Sequence, residues 1–261
     1  MKLAALAISL LLAVAPARAS VDPTSFPDLA FRQHPGAALP LNAKLFDSAG
    51  KPEMLGAALS GRPSVLVLEY LRCQNLCSLV LTGAVRAISS AGLVPGRDVD
   101  LVAISIDPRE TSSDAASAQA MYTKRFPNAA AAAAGIHFFT APPEDVRSIA
   151  SAIGFPYRYD KASGQFAHPA GFVVTTPDGH ISRYVLGLYP PPGLLKQAVA
   201  EASADKVEPP AHPLLLLCFG YDPDEGTAAA LAMRLVRWTS AFLVLAIAAF
   251  LAVLSLRRRA A

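Results

Sequence analysis

Continuous apolar runs alternate along this chain with stretches whose apolar positions recur at helical spacing. Leu41–Leu55 (LNAKLFDSAGKPEML) reads as a short strand, a turn at Ser48–Gly50 and a second strand. Pro63–Leu71 (PSVLVLEYL) is uninterrupted and rich in Val and Leu, the mark of a strand buried on both faces. An apolar-periodic helix follows from about Ser78 to Ser90, ending near Gly92. Val99–Asp107 is a second buried strand. It leads to a helix that Thr111, Ser112 or Ser113 can cap and that runs to Arg125. The alanine-rich stretch before Gly135 either continues a helix or simply connects. Ile136–Thr140 is a short strand, and Pro142–Gly154 is a helix with proline and acids at its start and glycine at its end. Tyr157–His168 resembles a hairpin, Ala170–Gly187 holds two strands around a turn at Pro177–Gly179, and Pro191–Ser203 is a closing helix. Strands alternating with helices predict an α/β fold, a mixed sheet covered by helices.

The two ends carry a different pattern. Lys2, the apolar core Leu3–Val14 and the small-x-small Ala17-Arg18-Ala19 predict a signal peptide cleaved before Ser20. Trp238–Leu256 holds no charge and, as a helix, spans roughly 28 Å, close to a bilayer's hydrocarbon core. Trp238 suits one interface and Arg257, Arg258 and Arg259 the cytoplasmic one. The expected organisation is therefore a signal peptide (1–19), a Pro-rich lead-in (20–40), an exported domain (41–204), a linker and juxtamembrane segment (205–237), a transmembrane helix (238–256) and a cytoplasmic tail (257–261). That places the main domain in the periplasm, held to a bacterial inner membrane by one C-terminal anchor. The net charge of +3 and pI near 8.8 are mild, and no basic stripe interleaved with aromatics occurs, so nucleic-acid binding has no support.

Chemistry enters at Cys73-x-x-x-Cys77, where the first buried strand empties into a helix N-terminus. Free N–H groups and the helix dipole favour thiolate there. In helical geometry residues four apart are separated by about 6.2 Å, inside the disulfide range of roughly 4.4–6.8 Å. The pair can therefore close a bridge, act as a redox dithiol with Cys73 as nucleophile and Cys77 as resolving thiol, or hold an ion. Two thiolates suit Cu(I), whereas structural zinc wants four ligands and no second pair exists. A third ligand would be an imidazole. Of five histidines, His34 lies in the lead-in, His137 inside a strand, His180 in a turn and His212 in the linker. His168 precedes a buried strand, in the loop that faces the first helix N-terminus of a thioredoxin-like sheet. Asp107 reads as a cap for the turn at Pro108 rather than a ligand. Glu69, buried in the strand before Cys73, needs a partner; it either tunes the thiolates or pairs structurally with Arg72 or Arg86. Cys218 is the odd cysteine, as a buried small hydrophobe, an inter-chain disulfide or a copper or thiol relay.

Four features in order and spacing resemble the Sco (SenC) family of membrane-anchored, thioredoxin-fold copper proteins. They are the strand followed by Cys73-x-x-x-Cys77, Ser105–Thr111 (SIDPRET) after the next strand, Tyr157–Asp160 (YRYD) before the hairpin, and His168 eleven residues before Gly179. The resemblance implies Cu(I) or Cu(II) held by Cys73, Cys77 and His168. It also implies a metallochaperone role toward the CuA centre of cytochrome c oxidase, with the CuA-bearing oxidase subunit or another copper chaperone as partner. Alternatives with the same residues are a thiol–disulfide oxidoreductase and a copper or redox sensor. Gln74 and Ser78 stand where many members carry proline, and most bacterial relatives are anchored at the N-terminus.

Overall fold

The computed structural model describes residues 29–59, 61–72, 78–161, 164–209, 238–240 and 242. The expected signal peptide, Cys73, Cys77, Cys218 and nearly all of the C-terminal apolar segment lie outside them. Among the described residues no helix is long and apolar enough to cross a membrane.

A small antiparallel pair, β1 (Lys44–Phe46) and β2 (Pro52–Met54), comes first, followed by one turn of helix, α1 (Leu55–Ala58). Then come β3 (Ser64–Glu69), α2 (Ser78–Ser90), β4 (Asp100–Ser105), α3 (Ser112–Thr123) and α4 (Ala129–Ala132). The chain continues through β5 (Ile136–Phe139), α5 (Pro143–Ile153), the hairpin β6 (Arg158–Asp160) and β7 (Gln165–Ala167), β8 (Gly171–Thr175), β9 (Ile181–Leu186) and α6 (Pro192–Ser203). The main sheet has the order β5-β4-β3-β8-β9. β3, β4 and β5 are parallel, while β8 runs antiparallel to β3 and β9 antiparallel to β8. This is the expected mixed α/β sheet.

β3 and β4 are buried at every position because the alternating side chains of each feed two separate apolar layers. Val65, Val67, Leu101 and Ala103 point to one, with Val80, Leu81, Ala84 and Ile88 of α2, Tyr122 of α3 and Leu195 and Val199 of α6. Leu66, Leu68, Val102 and Ile104 point to the other, with Leu55 of α1 and Val146, Ile149 and Ile153 of α5. Continuous apolar runs are thus what two covered faces require. The second half of the lead-in joins this second layer without any periodicity. Phe31 packs edge-on to Phe155 and Tyr184, and the Arg32 N–H donates to the Gly154 carbonyl at 2.8 Å. The alanine-rich stretch forms the single turn α4, whose Asn128 side chain accepts from the Ala131 N–H, so it connects and does not extend α3.

Candidate metal centre

Three loops meet at one end of the main sheet. β3 and β4 are parallel, so Tyr70–Arg72 and Ile106–Glu110 leave from the same edge, and the antiparallel β8 brings its entering loop, with His168, to that edge too. The His168 ring stacks on Phe155, with centroids 5.6 Å apart, and stands edge-on to Tyr70 at 6.1 Å. Tyr70 lies three residues before Cys73, so the histidine sits beside the chain that enters the cysteine pair. After the pair, α2 begins at Ser78.

His168 Nδ1 is 3.0 Å from the Pro169 carbonyl. A carbonyl only accepts, so the proton is assigned to Nδ1 and Nε2 carries the lone pair. Nε2 is buried and has no hydrogen-bond partner among the described residues. Burial pushes the imidazolium pKa down, the bond to Pro169 opposes it, and the net result lies below the ordinary histidine value. The ring is therefore neutral near pH 7, as a metal ligand must be. Among the described residues no three His, Cys, Asp or Glu side chains come together to hold an ion. His168 is the member of the expected ligand set that they contain, and Cys73 and Cys77 lie outside them. Of the other described histidines, His34 lies against the Ala152 carbonyl and His180 on Asp178. His137 also has a buried Nε2 without a partner among the described residues, but it stands within β5 near the Phe139 ring and away from Tyr70 and the chain that enters Cys73.

The segment Ser105–Thr111 ties the surrounding loops together. Asp107 does cap the turn. Its carboxylate accepts from the Arg109 N–H at 2.9 Å and from the Arg109 guanidinium at 2.7 and 2.8 Å. Burial pushes the Asp107 carboxyl up, but the bonds from Arg109 and the charge of Arg72 outweigh it and hold the group below the usual carboxylate range. Arg109 then lies over the rings of Tyr159 and Phe166, 5.0 and 5.9 Å from their centroids, on the hairpin that leads into His168. Glu110 turns the opposite way, onto the chain before Cys73, accepting from the N–H groups of Leu71 and Arg72. Sequence reasoning assigns Glu110 no role. Its signal is a second carboxylate in a loop leaving a fully buried strand, where an acid persists only with partners. Glu69 is buried at the end of β3, while Arg72 pairs with Asp114 at 3.5 Å and Arg86 lies over the Tyr189 ring. Between the Ile106–Arg109 loop, α5 and the β6–β7 hairpin, an apolar cleft of about 410 Å³ is lined by Ile106, Arg109, Val146, Tyr157, Tyr159 and Phe166.

The fold is shared with solved structures of other proteins. A crystal structure of a protein of Aquifex aeolicus VF5, assigned provisionally to electron transfer, is 26% identical, with a TM-score of 0.57 over 65% of this chain and 94% of that one. Arabidopsis thaliana ScoI, crystallised with copper bound, shares the fold at 19% identity and a TM-score of 0.51, over 66% and 98% of the two chains. So does BsSco, a member of the Sco family of cytochrome c oxidase assembly proteins studied for a disulfide switch, at 17% identity and a TM-score of 0.50 over 67% and 98%. No curated protein matches the chain. The SCO1/SenC family model matches residues 44–204, all the strands of the sheet and the helices that cover it. This chain therefore belongs to the SCO1/SenC family.

Proposed function

We propose that this protein is a periplasmic copper-binding metallochaperone, anchored in the bacterial inner membrane by its C-terminal segment and serving assembly of the CuA centre of cytochrome c oxidase. Cys73, Cys77 and His168 hold the copper, which is cargo. The carrying observation is the His168 ring. It is neutral, its tautomer is fixed by the Pro169 carbonyl, and its buried Nε2 has no partner among the described residues next to the strand end that runs into Cys73. Such a nitrogen costs about 1–3 kcal/mol if left unsatisfied, and a bound ion removes that cost. Family membership and the copper held by Arabidopsis ScoI support the same reading.

Full-length protein in detergent should take up one copper per chain, with a thiolate-to-copper charge-transfer band for Cu(II). Cys73→Ser, Cys77→Ser and His168→Ala should each weaken uptake and alter that band. Unchanged affinity and spectrum in His168→Ala would overturn the three-ligand site. In a strain lacking the gene, oxidase CuA content should fall at low copper and recover with added copper. Recovery with an external thiol reductant alone would instead establish the thiol–disulfide oxidoreductase. The cysteine pair precedes α2 in the chain, and the N-terminal side of a helix favours thiolate for either chemistry.

A further inference from the structure

Building on the copper reading, we propose that Glu110 is a positioning residue for the site: its carboxylate grips Leu71 and Arg72, the chain that enters Cys73, and ties it to the end of β4. The Glu110 side chain is wholly out of solvent. It accepts from the peptide N–H of Leu71 at 2.7 Å and from that of Arg72, the residue bonded to Cys73, at 2.6 Å. The Ser105 hydroxyl donates a third bond at 2.5 Å to Oε2, the oxygen that also receives the Leu71 N–H.

Each part of this grip has a fixed base. Ser105 ends β4, opposite Glu69 in the parallel ladder, so the carboxylate is tied to the sheet while its oxygens reach the loop. Two successive N–H groups bound to one carboxylate fix the orientation of consecutive peptide planes, since turning either breaks a charge-assisted bond. Arg72 is further held through its side chain, which donates to the Arg109 carbonyl at 2.8 Å. Arg109 contacts the β6–β7 hairpin through Tyr159 and Phe166. Neighbouring residues 109 and 110 thus grip the hairpin that leads into His168 and the chain that leads into Cys73.

The test uses the full-length chain in detergent, comparing the wild type with the near-isosteric Glu110→Gln and with Glu110→Ala, each checked for native circular dichroism and melting. Glu110→Gln keeps one acceptor oxygen and loses the charge. The Leu71 and Arg72 amides should then exchange hydrogen about tenfold faster, the loss of one charge-assisted bond. The metal-free Cys73–Cys77 reduction potential should shift by about 30 mV or more, the tenfold equivalent for a two-electron couple. Copper affinity should fall about tenfold, and every change should be larger in Glu110→Ala. A folded variant with unchanged amide exchange, or with unchanged potential and copper affinity, would overturn the proposal. If neither variant folds, Ser105→Ala, which removes only the hydroxyl steadying Oε2, should show the same changes in smaller measure, and their absence would overturn it. Should the wild type take up no copper, the metallochaperone reading fails, while exchange and potential still decide the role of Glu110.

Discussion

Replacing Phe155 by alanine should loosen the fold and make copper binding sensitive to pH, by separable routes. Phe155 is 4% exposed and packs against Phe31 at 5.4 Å, Tyr157 at 6.4 Å and His168 at 5.6 Å between centroids. Truncating a buried phenylalanine costs about 3–5 kcal/mol. For a domain of this size that lowers the melting temperature by roughly 6–20 °C. The second effect follows from the stacked face of His168. With the ring gone, water reaches the imidazole and relieves the desolvation that holds its pKa down. A fully hydrated imidazole titrates near 6.5, so at about pH 6 roughly three-quarters of it carries a proton and cannot ligate. Copper affinity of Phe155→Ala relative to wild type should drop by up to roughly fourfold more at about pH 6 than at about pH 8. The assay is copper competition at both pH values, beside a metal-free NMR titration of the His168 ring. If the ring titrates at the same pH in both proteins, or the affinity ratio is independent of pH, stacking on Phe155 is not what keeps His168 neutral.

Asp107 has a folded pKa below its unfolded value, so the stability it adds is complete above about pH 4 and is lost as pH falls through the lower folded value. Asp107→Asn should therefore flatten the acid limb of stability measured by denaturant titration across that window. Gly83→Ala pits a gain in helix propensity of about 1 kcal/mol against overlap of the new methyl group with the Leu188 carbonyl oxygen. Backbone cannot yield as a flexible side chain does, so the variant should melt lower, and a higher melting temperature would refute that ranking. Arg109→Met keeps the aliphatic stem but loses the cation over Tyr159 and Phe166. Hydrogen exchange in the β6–β7 hairpin should accelerate, and melting should fall as well because the buried Asp107 carboxylate loses its guanidinium partner.

The central strands β3 and β4 were legible because each is built on a short apolar run, and α5 because it carries start and stop marks, the proline and acids before Val146 and the left-handed Gly154 after Ile153. The lead-in was less legible, because Phe31 and Leu39 are isolated anchors on irregular backbone and leave no period to detect. His168 could be singled out from its place before a buried strand. The role of Glu110 could not, since a carboxylate that accepts from main-chain N–H groups some forty positions upstream has no complementary side chain to mark it. Pairing logic also misjudges Arg72, which is drawn to Asp114 and the Arg109 carbonyl, groups that come near only after β3 and β4 align.

The strand that follows His168 is also the one that closes the middle of the sheet. β8 pairs with β3 in the register Leu66↔Val173, across more than a hundred residues, and β9 pairs on its outer side. Closing so long a loop is costly in chain entropy, and little is recovered until the ladder zips. As the chain is synthesised from its N-terminus, β3 and its cysteines exist long before their strand partner. Until β8 arrives, that edge of β3 has no strand partner. The arrival of β8 ends that interval by sealing the edge and delivering the imidazole in one cooperative step. Folding intermediates should accordingly divide into two kinds, those with an open β3 edge and no assembled site and those with neither defect.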